Sequence, residues 1–240
     1  MAPDRLDEEA RRLAALHDGA PAESVIAAAV DLYAGRIALV SSFGADSAVL
    51  LAMIADLDRG LPVIFLDTGK LFPATLAYRD TLVGALGLTG VRTIRPDADA
   101  LVAADPAGAL WMSEPDVCCD VRKVQPLATA LRPYAAWISG RKRYQAGTRA
   151  SLPPFEAEDG RIKVNPLVGW NRARIDAYRE ARRLPPHPLV EDGYPSIGCL
   201  PCTDRVKPGE DERAGRWRGR GKTECGIHLG RASDPALPGA

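Results

Sequence analysis

The chain has 240 residues, 46% hydrophobic and 26% charged, with 31 basic residues against 31 acidic ones and five cysteines. That length allows a substantial core in one domain, and the neutral balance argues against a nucleic-acid coat or a membrane-surface protein. Met1 to Glu9 is acidic with no basic stretch leading into an apolar one, and the longest apolar run, Ala48 to Ala55, is too short to span a bilayer, so a cytoplasmic protein is expected. In that reducing compartment the cysteines read as ligands or catalysts rather than disulfides.

Leu6, Ala10, Leu13 and Leu16 recur at helical spacing over 5–17, and Val25, Ala28, Ala29 and Leu32 repeat the pattern over 22–34 until Gly35. Residues 36–41 read as a short buried strand and 45–57 as the helix after it. A strand at 61–66, a helix at 73–86 and a strand at 91–95 continue the alternation, which predicts a parallel sheet with helices on both faces. Ser113 fits the N-cap of a helix with Asp116 in the capping-box position, placing Cys118 and Cys119 in its opening turns. Strands at 135–139 and 162–165 and a helix at 171–182 follow. Beyond Pro185-Pro186-His187-Pro188 the apolar periodicity stops. The expected organisation is a single Rossmann-like α/β nucleotide-binding domain over 1–205 and an irregular, flexible C-terminal tail over 206–240.

Ligands of a parallel sheet bind beyond the carboxyl ends of its strands, where Ser41 to Ser47 runs from strand to helix N-terminus. Small residues there let backbone N–H groups approach a phosphate, and Ser42 and Ser47 add hydroxyls. An ordinary Ser/Gly turn looks the same, and neither the P-loop nor the dinucleotide fingerprint is present. Asp67-Thr68-Gly69 ends the second strand, with Asp67 equally suited to a turn. Gly140-Arg141-Lys142-Arg143-Tyr144-Gln145 follows the strand at 135–139, and the basic residues from Arg141 to Arg149 have no acid among them, which suits an anion site. Arg213 and Arg216 recur three apart. An RNA surface competes, but these clusters are short and poor in aromatics.

Cys118-Cys119 and Cys199-Leu200-Pro201-Cys202 form two pairs, and a helix N-terminus would bias the first towards thiolate. Four thiolates hold zinc or an iron-sulfur cluster. Separated pairs favour zinc, whereas adjacent side chains diverge and chelate one ion poorly, which favours a [4Fe-4S] cluster. Arg122 and Lys123 stand four residues after Cys118 and Cys119, on the same helix faces, where they could offset thiolate charge or bind an anion; a solvated face is the ordinary meaning of such a pair. Cys225 is left over, with Arg216, Arg218, Arg220, Lys222 and His228 near it in sequence to favour its thiolate, on a tail able to carry it into a site.

Ser42-Phe43-Gly44-Ala45-Asp46-Ser47 resembles the Ser-Gly-Gly-X-Asp-Ser loop of the adenine-nucleotide α-hydrolase-like superfamily, with Phe43 in place of a glycine and Ala45 where many ATP-cleaving members carry lysine. With Asp67-Thr68-Gly69, Cys118 to Lys123, Gly140 to Gln145, Gly198 to Cys202, Arg213 to Trp217 and Lys222-Thr223-Glu224-Cys225-Gly226-Ile227-His228, residues 36–229 closely resemble the assimilatory adenylylsulfate reductases. The resemblance implies thioredoxin-dependent reduction of adenosine 5′-phosphosulfate to sulfite and AMP, with Cys225 catalytic as an S-sulfocysteine. It implies substrate binding by Ser42, Phe43, Gly44, Asp67, Thr68 and Gly69, with the phosphosulfate held by Lys123, Arg143, Arg213, Arg216 and His228. A [4Fe-4S] cluster on Cys118, Cys119, Cys199 and Cys202 would position Lys123 rather than carry electrons. No nucleic acid or membrane partner is expected, and homo-oligomers are common in the family. Rival readings are the same reaction on 3′-phosphoadenosine 5′-phosphosulfate, a sulfur-transferring ATP pyrophosphatase, and a zinc-stabilised nucleic-acid-binding module.

Overall fold

Strand residues point alternately to opposite faces, so apolar runs such as Ile37–Ser41 and Val63–Leu66 can only be satisfied by helices packed on both sides. The computed structural model, which describes residues 3–222 and 224–228, shows that arrangement. Residues 229–240 of the expected tail, and Thr223 of its motif, lie outside the described residues.

The strands are β1 (Ile37–Ser41), β2 (Val63–Leu66), β3 (Val91–Ile94), β4 (Ala136–Ile138), β5 (Phe155–Glu158) and β6 (Arg161–Val164). They form one sheet in the order β3-β2-β1-β4-β6-β5, parallel except for β5, which runs antiparallel to β6. The β5–β6 hairpin turns on Asp159 and Gly160, both at positive φ (50° and 72°), the geometry of a two-residue turn whose twist matches its strands.

The helices are α1 (Pro3–Leu16), α2 (Ala22–Leu32), α3 (Ser47–Leu57), α4 (Pro73–Leu86), α5 (Ala98–Ala104), α6 (Leu110–Ser113), α7 (Pro115–Cys119), α8 (Gln125–Ala130) and α9 (Arg172–Ala181). Leu39, Val63, Phe65, Ile138 and Ile162 face the larger core, shared with α1 to α4 and α9. Ala38, Ile64 and Trp137 face the smaller one, covered by Leu127 and Leu131 at α8. Among the described residues no helix is long and apolar enough to cross a membrane.

The expected capping box at Ser113 is not formed. Ser113 ends α6, and α7 starts after Glu114 with no side-chain cap. Cys118 and Cys119 therefore close a five-residue helix instead of opening a long one, and the chain passes into a π-turn, Asp120–Val124, before α8. Pro126 explains the widening: it has no N–H and its ring crowds the carbonyl four residues back, so the Gln125 N–H reaches the Asp120 carbonyl five residues back.

The site is set by strand order. The chain builds outward from β1 to β2 and β3, then returns to place β4 on the other side of β1. At this reversal the loops after β1 and β4 diverge and leave a crevice at the carboxyl edge of the sheet.

Candidate active site

The crevice between the β1 and β4 loops is a cavity lined by Ser42, Gly44, Asp46, Ser139, Lys142 and Arg149, and closed from the far side by Lys123, Arg213, Arg216, Cys225 and His228. Asp46 and Ser47 bring in the start of α3, whereas Arg213 and Arg216 arrive on a segment pinned by a bridge between Thr203 and Arg216.

Most of its cations are already partnered. Asp46 receives Lys142 Nζ at 3.1 Å and Arg172 at 2.8 and 3.2 Å, and Arg172 also forks onto Glu212 with two 2.8 Å hydrogen bonds. Burial opposes the Asp46 carboxylate, yet the cations of Lys142 and Arg172 hold its pKa below the ordinary value. Arg149 grips Glu224 through Nε at 2.5 Å and Nη2 at 2.7 Å, with Arg213 3.6 Å from the same carboxylate. Burial again opposes the charge, and Arg149 and Arg213 outweigh it, so the Glu224 pKa is lowered. Arg141 pairs with Glu156.

Lys123 and Arg216 differ: neither has a carboxylate partner among the described residues. Desolvation works against the Lys123 ammonium, but the facing sulfurs of Cys199, Cys225 and Cys119 raise its pKa above the usual lysine range. Arg216 donates to the Ile197 carbonyl at 3.3 Å and lies over the Trp217 ring at 4.4 Å, while its Nε is buried without a partner. Gly198 makes room for it, since a Cβ there would collide with the guanidinium.

Cys225 is half-buried at this junction. The Cys119 thiol donates to its sulfur, and with burial opposing, Lys123, the Ile227 N–H and Arg216 add to a pKa well below the ordinary thiol value. Cys119 is correspondingly raised by that hydrogen bond and by burial. Burial is also the main cause that raises Cys118 and Cys202, against the lowering expected from a helix N-terminus; at the end of a five-residue helix that dipole is spent.

Cys118, Cys119, Cys199 and Cys202 are free, buried and gathered around a second, smaller cavity with Trp111, Arg122, Lys123 and Arg216. Among the described residues no three His, Cys, Asp or Glu side chains converge as a site for one metal ion. The four thiols instead surround a space, and the unpartnered Nε atoms of both Arg122 and Arg216 belong to residues that line it. A bulky anionic group with several acceptors fits such a donor set better than a single small cation.

Of the residues expected at the site, Ser42, Gly44, Lys123, Arg213, Arg216, Cys225 and His228 share the first cavity. Phe43 does not: its ring is fully buried against Phe65 and its N–H is taken by Ser41 Oγ at 3.2 Å. Arg143 is also absent from the lining, its Nε bound to the Leu152 carbonyl at 2.8 Å, and Arg141, Lys142 and Arg149 stand there instead. Asp67, Thr68 and Gly69 are not among the residues that line the cavity. Asp67 accepts from the Gly69 N–H at 3.1 Å and pairs with Arg95 at 3.0 Å, and the Thr68 hydroxyl lies 3.2 Å from the Cys199 sulfur. Sequence reasoning gives no role to Arg172, Glu224 and Trp137, although Glu224 directly precedes the singled-out cysteine, whereas Asp46 and Arg149 lie within the Ser41 to Ser47 loop and the basic segment after β4.

Comparison with known proteins agrees with this geometry. Residues 36–205 match the phosphoadenosine phosphosulfate reductase domain family. An adenosine 5′-phosphosulfate reductase of Mesorhizobium japonicum is 57% identical over 87% of this chain and 82% of its own length. One of Chelativorans sp. is 52% identical over 95% and 94%. Among solved structures, a phosphoadenylyl-sulfate reductase from Candida auris in complex with phosphate superposes with a TM-score of 0.70 at 27% identity, covering 80% of this chain and 95% of that one.

Proposed function

The chain belongs to the phosphoadenosine phosphosulfate reductase family, and from that membership we propose that it reduces adenosine 5′-phosphosulfate to sulfite and AMP through a covalent intermediate on Cys225. The observation that carries the reading is the half-buried Cys225 sulfur facing Lys123 and Arg216, two cations without carboxylate partners among the described residues, at the edge of the nucleotide crevice. The 57% and 52% identical relatives both carry the name of the 3′-unphosphorylated substrate, which favours that nucleotide over its 3′-phosphorylated form.

In the first step the Cys225 thiolate attacks the sulfur of the phosphosulfate. An S–S bond forms, the sulfur–oxygen bond to the phosphate breaks, and AMP leaves with the electron pair. Charge moves onto the departing phosphate oxygen, where preorganised cations are most effective. Ser42 and the backbone around Gly44 hold the nucleotide phosphate, and Lys123, Arg213, Arg216 and His228 hold the phosphosulfate. In the second step a thiolate of thioredoxin attacks Sγ of the S-sulfocysteine, sulfite leaves with the electron pair, and the second thioredoxin thiol resolves the mixed disulfide. The two electrons thus come from the dithiol.

Cys118, Cys119, Cys199 and Cys202 would hold a [4Fe-4S] cluster, which supplies a fixed charge centre beside Lys123. A ligating Cys119 has no proton to donate, so Lys123 and Arg216 are then left to keep Cys225 anionic. Residues 1–205 act as the nucleotide-binding unit and 206–240 as the segment bearing the nucleophile.

Cys225→Ser is expected to abolish the sulfonate adduct seen by intact mass while AMP still binds; an adduct that persists overturns the assignment. Anaerobically purified protein is expected to carry about four irons and four sulfides, and stoichiometric zinc would overturn the cluster.

A further inference from the structure

Cys225 is followed at once by a single 3-10 turn, Gly226–His228, closed by the His228 N–H on the Cys225 carbonyl at 2.9 Å. Where this turn sits fixes where the sulfur sits. Its two side chains reach the same layer of the fold. Ile227 packs on the smaller core, which contains Trp137 and Leu127, and the His228 imidazole lies parallel to the Trp137 indole, with 6.3 Å between centroids and 6° between planes. On the other side the π-turn closes in: a Cβ on Gly226 would stand 3.0 Å from Val124 Cγ2.

Trp137 itself is held hard. It is 3% exposed on the central strand β4, and its register partner on β6, Lys163, is fully buried with Nζ 4.6 Å from the ring centroid and 2.5 Å from Glu158. A lysine in that position fixes the indole through cation–π attraction in a low-dielectric site. Burial and the cations of Lys163, Arg141, Arg149 and Arg213 keep the His228 ring neutral, so stacking it on Trp137 strands no charge.

We propose that Trp137 is a positioning residue for the nucleophile: its indole seats Ile227 and His228, and through their turn sets the Cys225 sulfur against Lys123 and Arg216. The inference rests on the reading of Cys225 as nucleophile. Trp137 transfers nothing; it shortens the search of the sulfur for its attack position.

The test uses the cluster-loaded enzyme with Trp137→Leu and Trp137→Phe. For the leucine variant, kcat is expected to fall about tenfold or more, with AMP affinity within about twofold, and amide exchange across residues 224–228 is expected to speed up by a similar factor. Phenylalanine, which retains a flat ring, is expected to restore most of both. Ile227→Ala removes the other contact from a half-buried position and is expected to loosen the same amides even where Trp137→Leu misfolds. Unchanged exchange in the Ile227 and Trp137 variants overturns the proposal, as does a loss confined to KM and AMP affinity, which would make Trp137 only a wall of the nucleotide cavity. Should Cys225→Ser retain turnover, the nucleophile assignment falls while the exchange result still reports whether Trp137 seats the turn.

Discussion

The two sides of the cavity use positive charge differently. On the sheet side, Lys142, Arg172, Arg149 and Arg141 are each answered by a carboxylate, in Asp46, Glu212, Glu224 and Glu156. On the cysteine side, Lys123 and Arg216 face sulfur, and among the described residues no carboxylate answers them. The first group holds loops in place, because its charges neutralise one another. The second is left to meet incoming negative charge. A cavity that is rich in arginine overall therefore offers an incoming anion few of its cations.

Breaking the second group should do the most damage. Lys123→Ala is expected to slow adduct formation by about 10²–10³-fold, the scale of losing one preorganised donor at a transition state, with the melting temperature little changed. Single-turnover mass spectrometry measures the first and calorimetry the second; an unaltered rate would make Lys123 a counter-charge to the surrounding sulfurs rather than part of the reacting site.

Breaking the first group should act through structure. Arg149→Met takes both hydrogen bonds of its guanidinium from the buried Glu224 carboxylate but leaves Arg213 at 3.6 Å, so the loss is expected to stay below the roughly 3–5 kcal/mol of a fully unpaired buried charge. Activity is expected to fall about 10–100-fold, with partial recovery in Arg149→Met/Glu224→Gln. Recovery as poor as that of the single variant would place Arg149 with Lys123 rather than with the holding pairs.

Gly198→Ala sharpens the contrast without touching a charge. Its methyl group takes the space of the Arg216 guanidinium, so a drop of about tenfold in kcat/KM is expected, on the order of 1.4 kcal/mol, with iron content retained.

The smallest effect on activity is expected away from both sides. His187 is fully buried, with Nδ1 accepting from the Leu189 N–H at 3.2 Å and Nε2 3.1 Å from Thr75 Oγ1, and burial pushes its pKa down to about 4. The unfolded chain thus takes up this proton first. Stability is expected to be flat above about pH 6.5 and to fall by about 3 kcal/mol as pH drops towards 4. Denaturant titrations of His187→Gln should lack that slope while turnover at neutral pH persists.

Where side-chain period and turn chemistry agree, the sequence was readable. The helix at 73–86 matches α4 end to end, because Pro73 opens it and Gly87, at φ 65°, closes it. Strand β5 went unread although Asp159-Gly160 marks its hairpin, since Phe155–Glu158 carries two glutamates that break the apolar pattern and are answered only in the fold, Glu156 by Arg141 beyond β4 and Glu158 by the buried Lys163 across the hairpin. That Cys118 and Cys119 would lie with Cys199 and Cys202, with Cys225 outside that set, was legible from spacing and motif. Arg143 and Arg149 were not separable: which of them enters the cavity depends on a carbonyl at Leu152 and a carboxylate at Glu224, neither visible in local pattern. Trp137 reads as an ordinary strand residue because its importance comes from what packs on it.

Phe43 has a reach beyond its own loop. It holds φ at 47°, a conformation that costs an L-residue roughly 1–2 kcal/mol, while its ring meets Phe65 edge-on at 5.3 Å beneath the sheet edge. Phe43→Gly would relieve the backbone but leave a void in the core, where losing a phenyl ring costs about 3–5 kcal/mol. The curve of the loop between β1 and α3 is thus moulded from below, by a partner on the neighbouring strand. Across related chains, positions 43 and 65 should accordingly drift as a pair: a glycine at the first goes with a bulkier filling near the second, and neither should change alone for long.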